Sequence, residues 1–128
     1  MLLLDTCTLL WLAADQKNLS EKVRQAISDN ANGLFVSSIS ALEISLKFKK
    51  KLLQLPLPPG RWFEKALELH GINEITVNAK IATLSGLLPA HHNDPFDRIL
   101  ISTAKINHLA IATPDNHISI YKEIKTVW

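Results

Sequence analysis

The chain has 128 residues, 47% of them hydrophobic and 20% charged, with 14 basic and 12 acidic side chains. That length suits one domain able to bury a core without covalent staples. The single cysteine, Cys7, excludes both an internal disulfide framework and a multi-thiolate metal site, and a formal net charge of +2 does not by itself call for a nucleic-acid partner.

No apolar stretch approaches the ~20 residues that cross a bilayer. The apolar start lacks a basic leader and is interrupted by Asp5. The expectation is a soluble, cytoplasmic protein with no membrane partner.

Short apolar runs alternate with helical patterns, the mark of an α/β fold around a mainly parallel sheet. Leu2–Leu4 reads as a central strand covered on both faces, followed by a helix over 6–14 and a polar turn over 15–19. Ser20 caps the next helix, with Val23, Ala26 and Ile27 at helical spacing. After the turn at Asn32-Gly33 comes a second strand, Leu34–Ser37, and then a helix capped by Ser38 or Ser40 with Ile39, Leu42 and Leu46 along one side. Its far end is the lysine-rich run 47–51, where cations suit the negative end of the helix dipole. Pro56, Pro58, Pro59 and Gly60 form a loop. An amphipathic helix over 62–69 ends at Gly71, and a third strand over 72–77 leads to a helix over 79–88. Asp94-Pro95 opens a strongly patterned helix carrying Ile99, Leu100, Ile101 and Ala104. A fourth strand over 109–112, a short helix over 116–121 and a last strand over 125–128 complete a single domain, 1–128.

Four acids stand out from the twelve. Asp5 directly follows the first strand and Asp115 comes just after the fourth. In open α/β sheets, ligands bind beyond the carboxyl ends of strands where the strand order reverses. If these two strands are neighbours at that point, the two carboxylates emerge side by side; the plainer alternative is that each caps the helix after it. Glu43 borders the apolar stripe of its helix, where it wants a cationic partner or forms an exposed i, i+4 pair with Lys47. In Asp94-Pro95-Phe96-Asp97, Asp94 is a natural N-cap and Asp97 resembles a capping-box acid, although a capping carboxylate keeps free lone pairs for a ligand.

Four carboxylates in one place repel by ~4 kcal/mol per pair at ~4 Å and an effective dielectric near 20. Such a cluster takes up protons or holds a cation, and all-oxygen ligation suits Mg²⁺ or Mn²⁺. Neutralising the four leaves 14 basic groups facing the other eight of the 12 acids, a balance that suits a polyanionic substrate.

Four segments carry a resemblance to a known family: Leu-Leu-Leu-Asp5-Thr6, Ser37-Ser38-Ile39-Ser40-Ala41-Leu42-Glu43-Ile44, Leu88-Pro89 through His92-Asn93-Asp94-Pro95-Phe96-Asp97-Arg98, and Ala112-Thr113-Pro114-Asp115. In order and spacing the chain resembles the PIN domain, and more narrowly the VapC-like toxins of bacterial type II toxin–antitoxin pairs. The resemblance implies a three-layer α/β/α sandwich with a central, mainly parallel sheet of four to five strands. It further implies a metal-dependent endoribonuclease, Mg²⁺ or Mn²⁺ as cofactor, an RNA substrate, a cognate antitoxin and a homodimer. Carried over position by position, the catalytic acids are Asp5, Glu43, Asp97 and Asp115. Asp5, Asp97 and Asp115 are the metal-side ligands, while Glu43 ligates through water or orients the nucleophile.

Around them, Thr6 and Thr113 are candidates to hydrogen-bond a carboxylate or water, Asp94 to support or cap, and Arg98 to pair with a site carboxylate or a phosphate. His91, His92, His108 and His117 have no mutual spacing that compels a metal site and are read as structural. Two other functions stay open: a phosphohydrolase acting on small phosphate esters, and a non-catalytic binding or regulatory module. The first would want a second Asp two residues after Asp5, where Cys7 stands.

Overall fold

The computed structural model describes residues 1–128. Its elements are β1 (Leu2–Leu4), α1 (Thr6–Ala14), a single 3₁₀ turn (Gln16–Asn18), α2 (Glu21–Asp29), β2 (Leu34–Ser37), α3 (Ser38–Lys49), α4 (Pro59–His70), β3 (Asn73–Ile75), α5 (Ala79–Leu87), α6 (Pro95–Asn107), β4 (Ala110–Ala112), α7 (Asn116–Ser119) and β5 (Thr126–Val127). No helix is long and apolar enough to cross a membrane.

All strand pairs are parallel, in the order β3-β2-β1-β4-β5. Side chains alternate across a strand, and the core divides accordingly. Leu2 and Leu4 of β1 join Leu34, Val36 and residues of α1 to α4 on one face of the sheet. Leu3 joins Ile111 and residues of α6 on the other. Both faces are therefore covered by helices, giving three layers, as a parallel sheet requires. Each fully buried Leu or Ile of these strands contributes roughly 1.5–3 kcal/mol relative to exposure.

The chain builds outward from β1 to β2 and β3 on one side, and from β4 to β5 on the other. The order therefore reverses between β1 and β4, which pair Leu4 with Ala112. Backbone and side chain lock this junction: Asp5 N–H and the Thr8 hydroxyl both donate to the Ala112 carbonyl, at 3.2 and 2.9 Å. Asp5 and the Thr113–Asp115 segment consequently leave the sheet at one crevice.

Several local expectations are corrected. Ser37, rather than Ser38 or Ser40, caps α3 by accepting from Ile39 N–H. β2 runs straight into the helix, which frees Ser38 to accept from Val77 N–H and Ser40 to accept from the Thr6 hydroxyl. Helix α4 begins at Pro59, inside the expected loop, because a first-turn proline needs no N–H partner. On α3 the buried residues are Ser40 and Ile44, whereas Leu42 and Leu46 face solvent. This helix carries apolar residues nearly all round, so spacing alone does not choose its inner face. The strand expected over 72–77 pairs only at Asn73–Ile75, on the sheet edge.

Candidate metal centre

At the crevice Asp5 is 6% exposed and caps α1, its Oδ1 accepting from Thr8 N–H at 2.8 Å and from the Cys7 thiol at 3.2 Å. Burial, reinforced by the Asp5 charge, pushes the Cys7 thiol far up, so it stays protonated and acts as a donor. The Thr6 hydroxyl points away from the acids to Ser40 Oγ at 2.9 Å, tying the end of β1 to α3. Glu43 on α3 pairs with Lys47 at 3.4 Å, the i, i+4 arrangement.

On the other side of the crevice, Asp94 caps α6 by accepting from Phe96 N–H at 2.9 Å. Asp97 does not complete a capping box. Its Oδ2 lies 2.7 Å from His92 Nε2. The two rings of His92 and His117 stack, with centroids 4.9 Å apart and planes 14° from parallel. His117 in turn holds Asp115 Oδ1 through both its backbone N–H, at 2.8 Å, and its ring Nδ1, at 3.0 Å. The sequence Asp97–His92–His117–Asp115 is one continuous array of contacts.

Burial dominates the titration of Asp97, pushing its carboxyl up to about 6; the His92 hydrogen bond opposes this, and the charges of Asp94 and Asp115 add to it. Burial also works to raise Asp115, but hydrogen bonds from the His117 backbone and ring and from the Asp97 carboxyl outweigh it and hold Asp115 below the usual carboxylate range. The two neighbouring acids are thus shifted in opposite directions, Asp97 taking up its proton at a higher pH than Asp115.

The loop leading to α6 is fixed by Arg98. Its guanidinium donates to the carbonyls of Ser85, Leu88, Pro89 and His92, at 2.8–3.1 Å. This corrects the expectation that Arg98 meets a carboxylate or phosphate. Its five donors in a rigid fork instead satisfy free carbonyls at the C-terminal end of α5 and set the backbone of His92. Thr113 accepts from Asp115 N–H at 3.1 Å, shaping the turn after β4.

The structure links Asp97 to Asp115 through the stacked rings of His92 and His117. No hydrogen bond or ion pair joins Asp5 or Glu43 to either of them. The one group of potential ligands whose donor atoms all lie within 4.8 Å of one another is His92, Asp94 and Asp97. Each acid engages its own donors: Thr8 and Cys7 for Asp5, Lys47 for Glu43, histidines for Asp97 and Asp115. This donor set, carboxylates with one accessible imidazole, fits a hard or borderline divalent ion. A separate cavity of about 310 Å³, lined by Leu88, Pro89, Ile101, Tyr121 and their neighbours, contains none of the four acids.

Comparison with known proteins agrees with this fold. The PIN domain model matches residues 2–124. The chain belongs to the PIN domain family. It is 28% identical over 129 residues to Ribonuclease VapC22 of Mycobacterium tuberculosis, spanning 98% of this chain and 97% of that protein. Among solved structures it resembles DNA-bound VapBC from Salmonella typhimurium, with a TM-score of 0.69 and 20% identity over 98% of this chain and 95% of that one. It also resembles VapBC2 from Rickettsia felis bound to a promoter DNA fragment, with a TM-score of 0.73 and 14% identity over 98% and 96%. FitAcB from Neisseria gonorrhoeae gives 0.68 and 19% over 98% and 96%.

Within this PIN fold, two residues at the crevice escaped sequence reasoning. The four histidines have no mutual spacing that compels a metal site and read as structural, but His92 and His117 are each set by distance to an acid: His92 five residues before Asp97, across a helix cap, and His117 two residues after Asp115. His91 and His108 are structural, as expected. The His91 ring meets Tyr121 edge-on at 5.3 Å, and His108 ends α6 in a left-handed conformation.

Proposed function

We propose that this chain is a metal-dependent endoribonuclease, the toxin of a toxin–antitoxin pair, acting in the cytoplasm as one domain on RNA. The observation that carries the reading is the Asp97–His92–His117–Asp115 array at the β1/β4 crevice of a PIN fold, in a chain resembling along its length a protein named as a ribonuclease. Asp97, Asp115 and Asp5 are the candidate ligands of Mg²⁺ or Mn²⁺, with Asp94 beside them and Glu43 at the rim. When bound, such an ion supplies charge neutralisation and Lewis acidity for cleaving a phosphodiester.

The chain's own residues do the remainder. Asp97, raised to about 6, changes charge just below neutral pH and is largely ionised above it. Asp115, ionised, holds negative charge where a cation is wanted. Glu43, held by Lys47 at the edge, is placed to orient a water, and Lys47 offers its charge to a phosphate once that pair opens. Cys7, a protonated donor to Asp5, takes no part as a nucleophile.

An apolar surface supports the protein partners of this reading. Leu42, Leu46 and Phe48 of α3 are 37–48% exposed, available to an antitoxin or to a second copy in a homodimer. The complexes resembled in fold are toxin–antitoxin assemblies by name in one case, from Klebsiella pneumoniae. The deciding experiment incubates purified protein and labelled RNA with Mn²⁺ or Mg²⁺. Cleavage should vanish with EDTA and in Asp97→Ala of unchanged far-UV dichroism; cleavage that survives both would sink the proposal.

A further inference from the structure

The identity of a bound ion depends on which donors surround it, and the donors at this crevice are not all oxygen. His92 Nε2 lies 2.7 Å from Asp97 Oδ2, and one ring nitrogen of His92 falls within 4.8 Å of one oxygen each from Asp94 and Asp97, which are within the same distance of each other. Ligands bound at ~2.0–2.2 Å to one ion sit ~3 Å apart when adjacent and ~4 Å apart when opposite. The Nε2–Oδ2 separation is close to that of adjacent ligands, and the Asp94 carboxylate lies near enough for a small adjustment to bring all three groups onto one ion. The imidazole is also held in place. Its backbone carbonyl is gripped by Arg98 at 3.0 Å, its ring lies against His117, and its side chain is 16% exposed.

Resting on the metal-dependent reading above, we propose that His92 is itself a metal ligand through Nε2, with Asp94 and Asp97. The resident ion of this chain is then a divalent transition metal held by mixed nitrogen and oxygen donors, with Mg²⁺ the weaker occupant. Imidazole favours transition ions, whereas Mg²⁺ selects an all-oxygen octahedron. Ligation needs the lone pair of Nε2, so the ring's proton resides on Nδ1 in the bound state. Binding exchanges the Nε2–Asp97 contact for two bonds to the ion.

The opposite role is equally concrete: His92 as a competitor that must leave Asp97 before an ion binds. The two differ in sign. Mn²⁺ and Mg²⁺ are titrated into the full chain and into His92→Gln, whose amide still donates to Asp97 but offers no imidazole. Pulsed EPR of the Mn²⁺ complexes reads coupling to a ring nitrogen. A ligand's loss should weaken Mn²⁺ at least as much as losing an outer partner does, about 10–100-fold, and leave Mg²⁺ little changed. Nitrogen coupling should be present in the native chain, persist in His117→Gln and disappear in His92→Gln.

Equal or tighter Mn²⁺ binding by His92→Gln overturns the assignment. So does a native Mn²⁺ complex without nitrogen coupling, a measurement that needs no variant to fold, and so does absence of Mn²⁺ binding. Nitrogen coupling in a protein that cleaves no RNA would sink the nuclease reading and leave the ligand in place. Cleavage without coupling would do the reverse.

Discussion

His92 reaches back over the N-cap of α6 to place Nε2 2.7 Å from Asp97 Oδ2. The contact is local in sequence, yet it exists only because Arg98, one residue beyond Asp97, clamps the carbonyl of His92 at 3.0 Å. The loop and the first turn of α6 therefore form one unit, and the protonation of Asp97 is a property of that unit.

The first prediction concerns acid. Asp97 folds with its carboxyl raised to about 6, above the usual value near 4. The folded state thus binds more protons than the unfolded chain between pH ~4 and ~6. Asp97's favourable contribution is complete below the unfolded value and is lost as pH climbs through 6. Asp97→Asn imitates the neutral acid and should melt a few degrees higher than the native chain at pH 7.5, on the order of 1–2 kcal/mol, with the gap closing at pH 4. Thermal melts across that range measure it. Equal melting temperatures at pH 7.5 would refute the assignment of the raised carboxyl.

The second prediction follows from the same excess of negative charge. Mn²⁺ should stabilise the native chain by about 2.7 kcal/mol at a hundredfold excess over its dissociation constant. EDTA should reverse the shift, and Asp97→Asn should show much less of it. Together with the first, this makes Asp97→Asn more stable without metal and less responsive to it, a trade of stability against function. Differential scanning calorimetry with and without Mn²⁺ reads both effects in one series.

How much of this was legible beforehand depends on the range of each interaction. The triple leucine of β1, the Asn32-Gly33 turn and Asp94-Pro95 announce themselves through local chemistry, and the structure has strand, turn and helix start there. The adjacency of β1 and β4 was a condition suggested by the likeness of their ends, an acid after an apolar run, and the structure meets it. What escaped was settled by partners remote in sequence or by competition between equals. Ser37 takes the cap because Ser38 and Ser40 are claimed by Val77 and Thr6, 39 and 34 residues away. Leu42 and Leu46 face solvent because α3 is apolar on every side, and its position over the sheet decides which residues are covered. Arg98 answers to carbonyls rather than charges, and no side-chain pattern records where free carbonyls lie. The acids Asp5 and Glu43 were expected to join Asp97 and Asp115 about one ion, and how all four arrange themselves about a metal belongs to the proposal.

The third prediction separates Arg98 from the chemistry. Lysine keeps the charge but not the fork, so Arg98→Lys loses most of the four carbonyl contacts. Loss of these part-buried and exposed bonds should cost about 1 kcal/mol. Hydrogen exchange should speed up over residues 88–94, and RNA cleavage should fall with it. Native-like exchange in Arg98→Lys would show that the loop is held by something else.

The fourth sets Glu43 apart as function without stability. Its partner Lys47 is 42% exposed, and such i, i+4 pairs contribute only ~0.3–0.5 kcal/mol. Glu43→Gln should therefore melt within about a degree of the native chain. If Glu43 orients the attacking water, cleavage should drop by about 10²-fold or more. Full activity in Glu43→Gln would remove it from the site.

The last prediction tests how the two halves of the crevice are joined. The Thr6 hydroxyl donates to Ser40 Oγ at 2.9 Å, with both side chains buried, and this bond links the residue after Asp5 to the helix that carries Glu43. Thr6→Val keeps the shape and the β-branch but leaves the Ser40 hydroxyl without its partner, at a cost of about 1–3 kcal/mol. Thr6→Ser restores the hydroxyl and loses only a methyl group, so it should recover most of the bond. If the bond also registers α3 against β1, Thr6→Val should lower cleavage beyond what its melting temperature explains, measured well below the transition. Thr6→Ser should restore both. A Thr6→Val protein as stable as the native chain would mean that Ser40 finds another partner and that the packing of Ile44, rather than this hydrogen bond, sets the register of α3.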